Sequence, residues 1–223
     1  MNVAEAVATR FSCRAFLDKP VDPEAIHRIL DRARQSPSGG NVQPWHTYVL
    51  SGEAMDRFKA LVQSRLPDNP RGEPPEFSIY PESLKEPYRS RRFKCGEDLY
   101  AAIGIPREDK PARLRQFARN LEWFGAPVGL FFALDRSMGW NQWAHLGMYM
   151  QTIMLLAREE GLHTCAQEAW SAWHKTVTEF LSLPDELMLY CGMAVGYADE
   201  NNPINQWRTD RADMDEQVQY RSP

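Results

Sequence analysis

Two stretches of uninterrupted apolar sequence constrain this chain most: VGLFFAL at Val128–Leu134 and LMLYCGMAVGY at Leu187–Tyr197. Each is far shorter than the ~20 residues a helix needs to cross a bilayer. Both read as strands buried inside a globular core. Between them, Trp143, Leu146, Met150, Ile153, Met154 and Ala157 recur at helical spacing, and Gly161 stands where a helix stop belongs. Apolar residues fall on more than one face of this Trp143–Glu160 helix. It therefore belongs at the centre of the fold or in an interface between subunits.

The remaining elements are shorter. Asn2–Thr9 can form a helix with Val3, Ala6 and Val7 on one face. Asp22-Pro23-Glu24 opens another, with a capping carboxylate, a proline suited to the first position and an acid at the positive end of the dipole. Ile26, Ile29, Leu30 and Ala33 form its stripe. His46–Leu50 reads as a strand, and Gly52–Leu66 as a helix through Met55, Phe58, Leu61 and Val62. Lys110–Phe124 and Thr176–Leu183 read as helices, the second stopped by Pro184. From Pro67 to about Phe93 six prolines sit among many charges, and this irregular insertion has the character of a lid or a partner-wrapping arm. Helices and strands alternate with helix dominant, which gives an α+β or layered α/β class. No linker divides the chain, so residues 1–223 read as one domain, a size that can bury roughly 70 % of its unfolded surface.

Several function classes are disfavoured. The chain has 26 basic and 30 acidic residues, a net charge of −4, so it lacks the basic excess of a nucleic-acid binder. No GxGxxG follows a strand, and there is no Walker A loop, HExxH or GxSxG. The five histidines make no metal-ligand pair, and no metal site is expected. The N-terminal stretch does not read as a secretory signal. The four cysteines, Cys13, Cys95, Cys165 and Cys191, are widely separated and suit a reducing cytoplasm.

What remains is a set of anion-binding groups at the two ends of the chain. Arg10, Ser12 and Arg14 lie within five residues, and Arg208 and Arg211 lie in the tail. Guanidinium forks match phosphate oxygens, and a hydroxyl adds a directed donor. Taken alone, surface ion pairs are the simpler account of Arg10 and Arg14. The loop SPSGGNVQPW at Ser36–Trp45 adds glycines that let backbone approach a ligand, with Asn41 and Gln43 as combined donors and acceptors for a ring edge. A plain helix-ending turn fits that loop equally well.

RFSCRAF at Arg10–Phe16 followed by SPSGGNVQPW resembles the opening signatures of the FMN-dependent nitroreductase family. Gly125-Ala126-Pro127, Gly147 and Gln151 in the long helix, Gln167-Glu168-Ala169-Trp170 and the tail NQWRTDR continue the likeness from about residue 3 to 218. The resemblance implies a central, mostly antiparallel sheet flanked by helices and an intertwined homodimer built on the Trp143–Glu160 helix. It implies that Arg10, Ser12 and Arg14 contact the phosphate, ribityl chain and pyrimidine edge of FMN. Ser38, Asn41 and Gln43 would lie beside the flavin, Gln167, Glu168 and Ala169 would offer backbone N–H to N5, and Arg208 and Arg211 would hold the phosphate. No side chain is implied as a required catalytic acid. The resemblance further implies NADPH or NADH as donor and a ping-pong reduction of a small aromatic nitro compound or quinone. The insertion resembles that of members acting on nitroaromatic acids, and its basic run Arg89–Lys94 could attract an anion or simply be solvated. Two other readings stay open: a reductive dehalogenase like the iodotyrosine deiodinases, whose early signatures are shared, and a flavin-binding protein without turnover.

Overall fold

The computed structural model describes residues 1–221, so the last two residues of the expected 1–223 unit lie outside it. Four strands make one sheet in the order β1-β2-β4-β3: β1 His46–Ser51, β2 Val128–Asp135, β3 His163–Gln167 and β4 Leu187–Gly196. All three pairings are antiparallel, with a bulge in β2 between Phe132 and Ala133. The two apolar runs are the two central strands, as their lack of polar alternation requires. A parallel bridge from Ser12 to Thr164 lays the N-terminal segment along the outer edge of β3.

Helices cover both faces of the sheet. On one, α2 (Pro23–Ala33) and α6 (Trp140–Glu159) pack Ile26, Ile29, Leu146, Met150 and Ile153 against Leu130, Phe132, Met193 and Val195. On the other, α3 (Gly52–Arg65) and α7 (His174–Leu181) pack Phe58, Val62 and Val177 with Trp123, Trp170 and Phe131. The short α1 (Val3–Thr9) is capped by Asn2, whose side chain accepts from Glu5 N–H while Glu5 bonds back to the cap.

Two differences from the sequence reading have local causes. The expected helix Lys110–Phe124 is α5 only over Lys110–Ala118 and continues as a 3-10 segment, Arg119–Gly125. Trp123 and Phe124 there have φ of 54° and 55°. That strained turn drives Trp123 against Gly129 and Gly192, where a Cβ at Gly129 would stand 2.8 Å from the indole. The long insertion is irregular only to Pro87, after which α4 (Tyr88–Ala102) forms with no buried residue. Its exposed face carries charge pairs such as Lys94–Asp98 at 2.5 Å, which support a helix that has no apolar stripe.

The insertion is clasped at its base. Glu73, 8 % exposed, accepts from Lys175 N–H at 2.7 Å, Thr176 N–H at 3.0 Å and Thr176 Oγ1 at 2.5 Å, so its carboxylate caps α7. Arg136 pairs with Glu76, and Phe77 packs edge-on to Trp143 at 5.1 Å. Among the described residues, no helix is long and apolar enough to cross a membrane.

Candidate functional site

The two ends of the chain meet beyond the outer edge of β3. Cys13 N–H donates to Thr164 O at 2.9 Å, Leu17 N–H to Tyr197 O at 2.8 Å and Asp199 N–H to Ala15 O at 3.0 Å. This stitching is tightened by one buried side chain, Asn205, 2 % exposed. Its Oδ1 accepts from Arg14 N–H at 2.9 Å, and its Nδ2 donates to Ala15 O at 2.7 Å and Asp199 O at 2.8 Å. Only this orientation of the amide satisfies all three neighbours, since one can only donate and two can only accept. Asn205 O in turn accepts from the Arg208 guanidinium. Asn205 therefore places an arginine from each end of the chain. In the sequence it is the first residue of the tail NQWRTDR, where no role was assigned to it. Asn202-Pro203 caps and opens the single helical turn, α8 (Pro203–Gln206), that carries it.

Arg10, Ser12, Arg14, Arg208 and Arg211 line a single cleft of about 350 Å³. The Arg208 guanidinium lies 3.9 Å over the Phe11 ring, which covers its face; Nη1 is engaged by Asn205 O and Trp207 O, and the rest of its edge is left for an in-plane acceptor. Arg211 is folded by bonds to Thr209 O at 3.0 Å, Thr209 Oγ1 at 2.6 Å and Asp210 O at 2.8 Å. Among the described residues, none of the four arginines forms an ion pair with a carboxylate. The surface-ion-pair account of Arg10 and Arg14 is thereby removed. Burial, and then the Arg211 charge beside it, hold the Arg10 guanidinium below its ordinary pKa. A cleft that gathers like charges this way is stabilised by an anion with several oxygens.

Arg14 also lines a second cavity, of about 450 Å³, with aromatic walls from Tyr80, Tyr100, Phe117 and Phe124 and a floor from Cys165 to Ala169. Gln167, Glu168 and Ala169 are thus brought next to the arginine cleft. The side chain of Gln167 is engaged elsewhere: Nε2 donates to Asn120 O at 2.9 Å, and Oε1 accepts from Trp170 Nε1 at 3.3 Å. What this segment can present is backbone, since the 3-10 segment Glu168–Trp173 begins here and the first N–H groups of a helical turn have no partner inside it. Burial pushes the Glu168 carboxyl above its usual range, partly opposed by the Arg92 charge. Burial likewise pushes up the Cys165 thiol, against the pull of Arg14 and Arg10.

Ser38, Asn41 and Gln43 are not brought to this site within one chain; they line neither cavity. Gln43 N–H donates to Ser38 Oγ at 3.0 Å, and Asn41 and Gln43 take φ of 54° and 46° in an exposed loop. Gly39 N–H donates to His145 Nε2 at 3.3 Å, which seats the loop on α6. Behind the cleft, His163 lies 4.8 Å from the Phe11 ring with its Nδ1 3.1 Å from the Arg158 guanidinium. Burial first, then Arg158 and Arg208, lower its pKa to about 4, so the imidazole is neutral and packs. No group of His, Cys, Asp and Glu among the described residues could hold a metal ion.

Fold and site together define a protein with a phosphate-like anion cleft opening into an aromatic slot on a sheet edge. The chain belongs to the nitroreductase family, whose model matches residues 7–197. It is 38 % identical over 214 residues to a nitrobenzene nitroreductase of Ectopseudomonas oleovorans, covering 96 % of this chain and 94 % of the relative. It is 39 % identical over 205 residues to a 4-nitrobenzoate reductase of Pseudomonas putida, covering 92 % and 89 %. The crystal structure of the FMN and NADPH-dependent nitroreductase NfnB from sphigopyxis sp. strain HMH superposes with a TM-score of 0.96 at 44 % identity, covering 100 % of both chains.

Proposed function

We propose that this chain is an FMN-dependent oxidoreductase that uses NAD(P)H to reduce nitroaromatic compounds and acts as one flavin-binding domain within a homodimer. The carrying observation is the convergence of Arg10, Arg14, Arg208 and Arg211 on one cleft with no carboxylate among them. The donor set fits the group. A phosphate with nearly two negative charges suits the guanidinium forks of Arg10, Arg208 and Arg211, and a flat tricyclic ring suits the adjoining aromatic cavity.

Arg10, Arg208 and Arg211 hold the phosphate, and Ser12 adds a hydroxyl to the same cleft. Arg14 lines both cavities, so its charge serves the ring edge on which negative charge builds during reduction. The Gln167–Ala169 backbone orients the ring, and the walls of the slot exclude water from it. When bound there, FMN would supply two-electron hydride chemistry between NAD(P)H and a nitroaromatic or quinone, each of which would use the same slot in turn. No side chain is assigned as a catalytic acid.

The homodimer reading rests on α6 and its neighbour loop. Ala144, Gly147, Met148 and Gln151 are exposed along one side of α6, beside the exposed Ser38–Gln43 loop. A second copy packed on that side would cover the helix and carry its own Ser38, Asn41 and Gln43 toward this chain's slot. A reducing cytoplasm suits four unpaired thiols.

The test is a visible spectrum of the purified protein, followed anaerobically as NADPH and then NADH is added. Flavin bands bleached by one nucleotide and restored by a nitroaromatic are expected. Protein that stays colourless after FMN is supplied would overturn the proposal. Flavin bands that neither nucleotide bleaches would overturn the enzymatic part of it.

A further inference from the structure

Resting on the nitroreductase reading above, we propose that Arg92 makes the aromatic slot selective for ring substrates that carry a carboxylate. Helix α4 bears four cations in its basic run, and three have acid partners. Arg89 pairs with Glu86 at 2.7 Å, Arg91 with Glu216 at 2.6 Å, and Lys94 with Asp98 at 2.5 Å and Asp210 at 2.7 Å. Arg92 has no such pair among the described residues. The positive charge of the run is thus concentrated at one guanidinium rather than spread along a rim.

That guanidinium is preorganised. It lies 3.9 Å over the Tyr80 ring, and it lines the slot together with Tyr80, Tyr100, Phe117 and Asn120. Stacking covers the guanidinium face and leaves the in-plane N–H groups free, the geometry that meets a carboxylate through two parallel bonds. The same device sets Arg208 on Phe11 in the phosphate cleft. Arg14 stands in the lining of the same slot on the cleft side, where the flavin ring would lie, so an aromatic acid stacked on that ring would carry its carboxylate toward Arg92.

The acid that shares this lining is Glu168, which lies outside ion-pair distance of Arg92. Burial favours its neutral form, which lessens its repulsion of an incoming anion. A neutral nitroarene uses the walls alone and gains nothing from Arg92.

The experiment compares the purified flavin-loaded protein with Arg92→Gln and Arg92→Lys. Isothermal titration with benzoate and benzamide, which cannot be reduced, reads binding without turnover. Loss of one charge-assisted bond predicts that the benzoate-to-benzamide affinity ratio falls about tenfold in Arg92→Gln. The ratio of kcat/KM for 4-nitrobenzoate over nitrobenzene falls by a similar factor, and Arg92→Lys recovers part of both. Two results would overturn the proposal. One is an unchanged ratio in both assays. The other is an unchanged benzoate ratio with a raised KM for NADPH relative to NADH, which would give Arg92 to the phosphate of the nicotinamide donor. A protein that reduces no nitroarene would instead refute the nitroreductase reading, while the benzoate titration would still report on Arg92.

Discussion

Replacing Asn205 by alanine tests whether the arginine cleft is held by one buried amide. In the native fold Asn205 serves Arg14 N–H, Ala15 O and Asp199 O. Ala15 O keeps the N–H of Asp199 at 3.0 Å after truncation. Asp199 O keeps the N–H of Asn202 at 3.2 Å. Arg14 N–H alone is left without a partner, at about 1–3 kcal/mol. Some water will reach the site, so the expected loss is about 1–2 kcal/mol, read as a lower midpoint in urea at an unchanged slope. The functional effect is separate. Arg14 loses the anchor of its backbone, while Arg208 keeps the carbonyl of residue 205, so FMN affinity should fall at least about tenfold at concentrations where the variant is still folded, read by flavin fluorescence titration. Asn205→Asp keeps the acceptor for Arg14 N–H but sets a carboxylate among the arginines. It should lose at least as much stability as alanine, because a carboxylate oxygen would face Ala15 O and Asp199 O, which can only accept, and at least as much FMN affinity. A folded Asn205→Ala that binds FMN as tightly as the native chain would refute the argument, whatever its stability.

Three further outcomes follow from the packing. Gly192→Ala places a Cβ 2.4 Å from Trp170 Cδ1 in a fully buried site, so thermal unfolding should show a loss of about 1–3 kcal/mol, and an unchanged midpoint would contradict the tight approach. His163 has its pKa lowered to about 4 from 6.5, so the unfolded chain takes up a proton first as pH falls. Its contribution is intact above pH 6.5 and is lost as pH drops toward about 4, at most about 3 kcal/mol. His163→Gln should flatten that part of the stability curve, and parallel curves for the two proteins would reject it. Glu73→Ala removes the cap of α7 and should cost about 2–3 kcal/mol locally. Limited proteolysis should then cut faster between residues 74 and 87, whereas equal cleavage rates would show that other contacts hold the insertion.

The elements legible in the sequence are those whose burial leaves a pattern. The runs of β2 and β4 and the stripes of α2 and α6 bury the residues their spacing pointed to. Strand β3 escaped notice because His163–Gln167 has no apolar run; its place is set by pairing with β4 and by Ser12 beside it. Helix α4 was missed because it buries nothing and is held by side-chain charge pairs on its surface. The end of α5 was misplaced because a tertiary demand, room for Trp123 over two glycines, overrides local propensity. At the site, charge type was readable and position was not. Arg10, Arg14, Arg208 and Arg211 stood out by composition, yet only the fold showed them without acid partners. Arg92 was hidden in a run whose other members are neutralised.

The tail from Trp207 to Ala212 has two edges with different duties. Arg208 and Arg211 face the arginine cleft, while Asp210, and Glu216 beyond it, fasten to Lys94 and Arg91 of the helix that also carries Arg92. One strip of chain is therefore common to the two pockets. Because the fastening is exposed ion pairs, it weakens as salt rises, whereas the buried amide beneath it does not. Ionic strength therefore sets how tightly the tail holds that helix, without disturbing the amide that ties the two ends of the chain together.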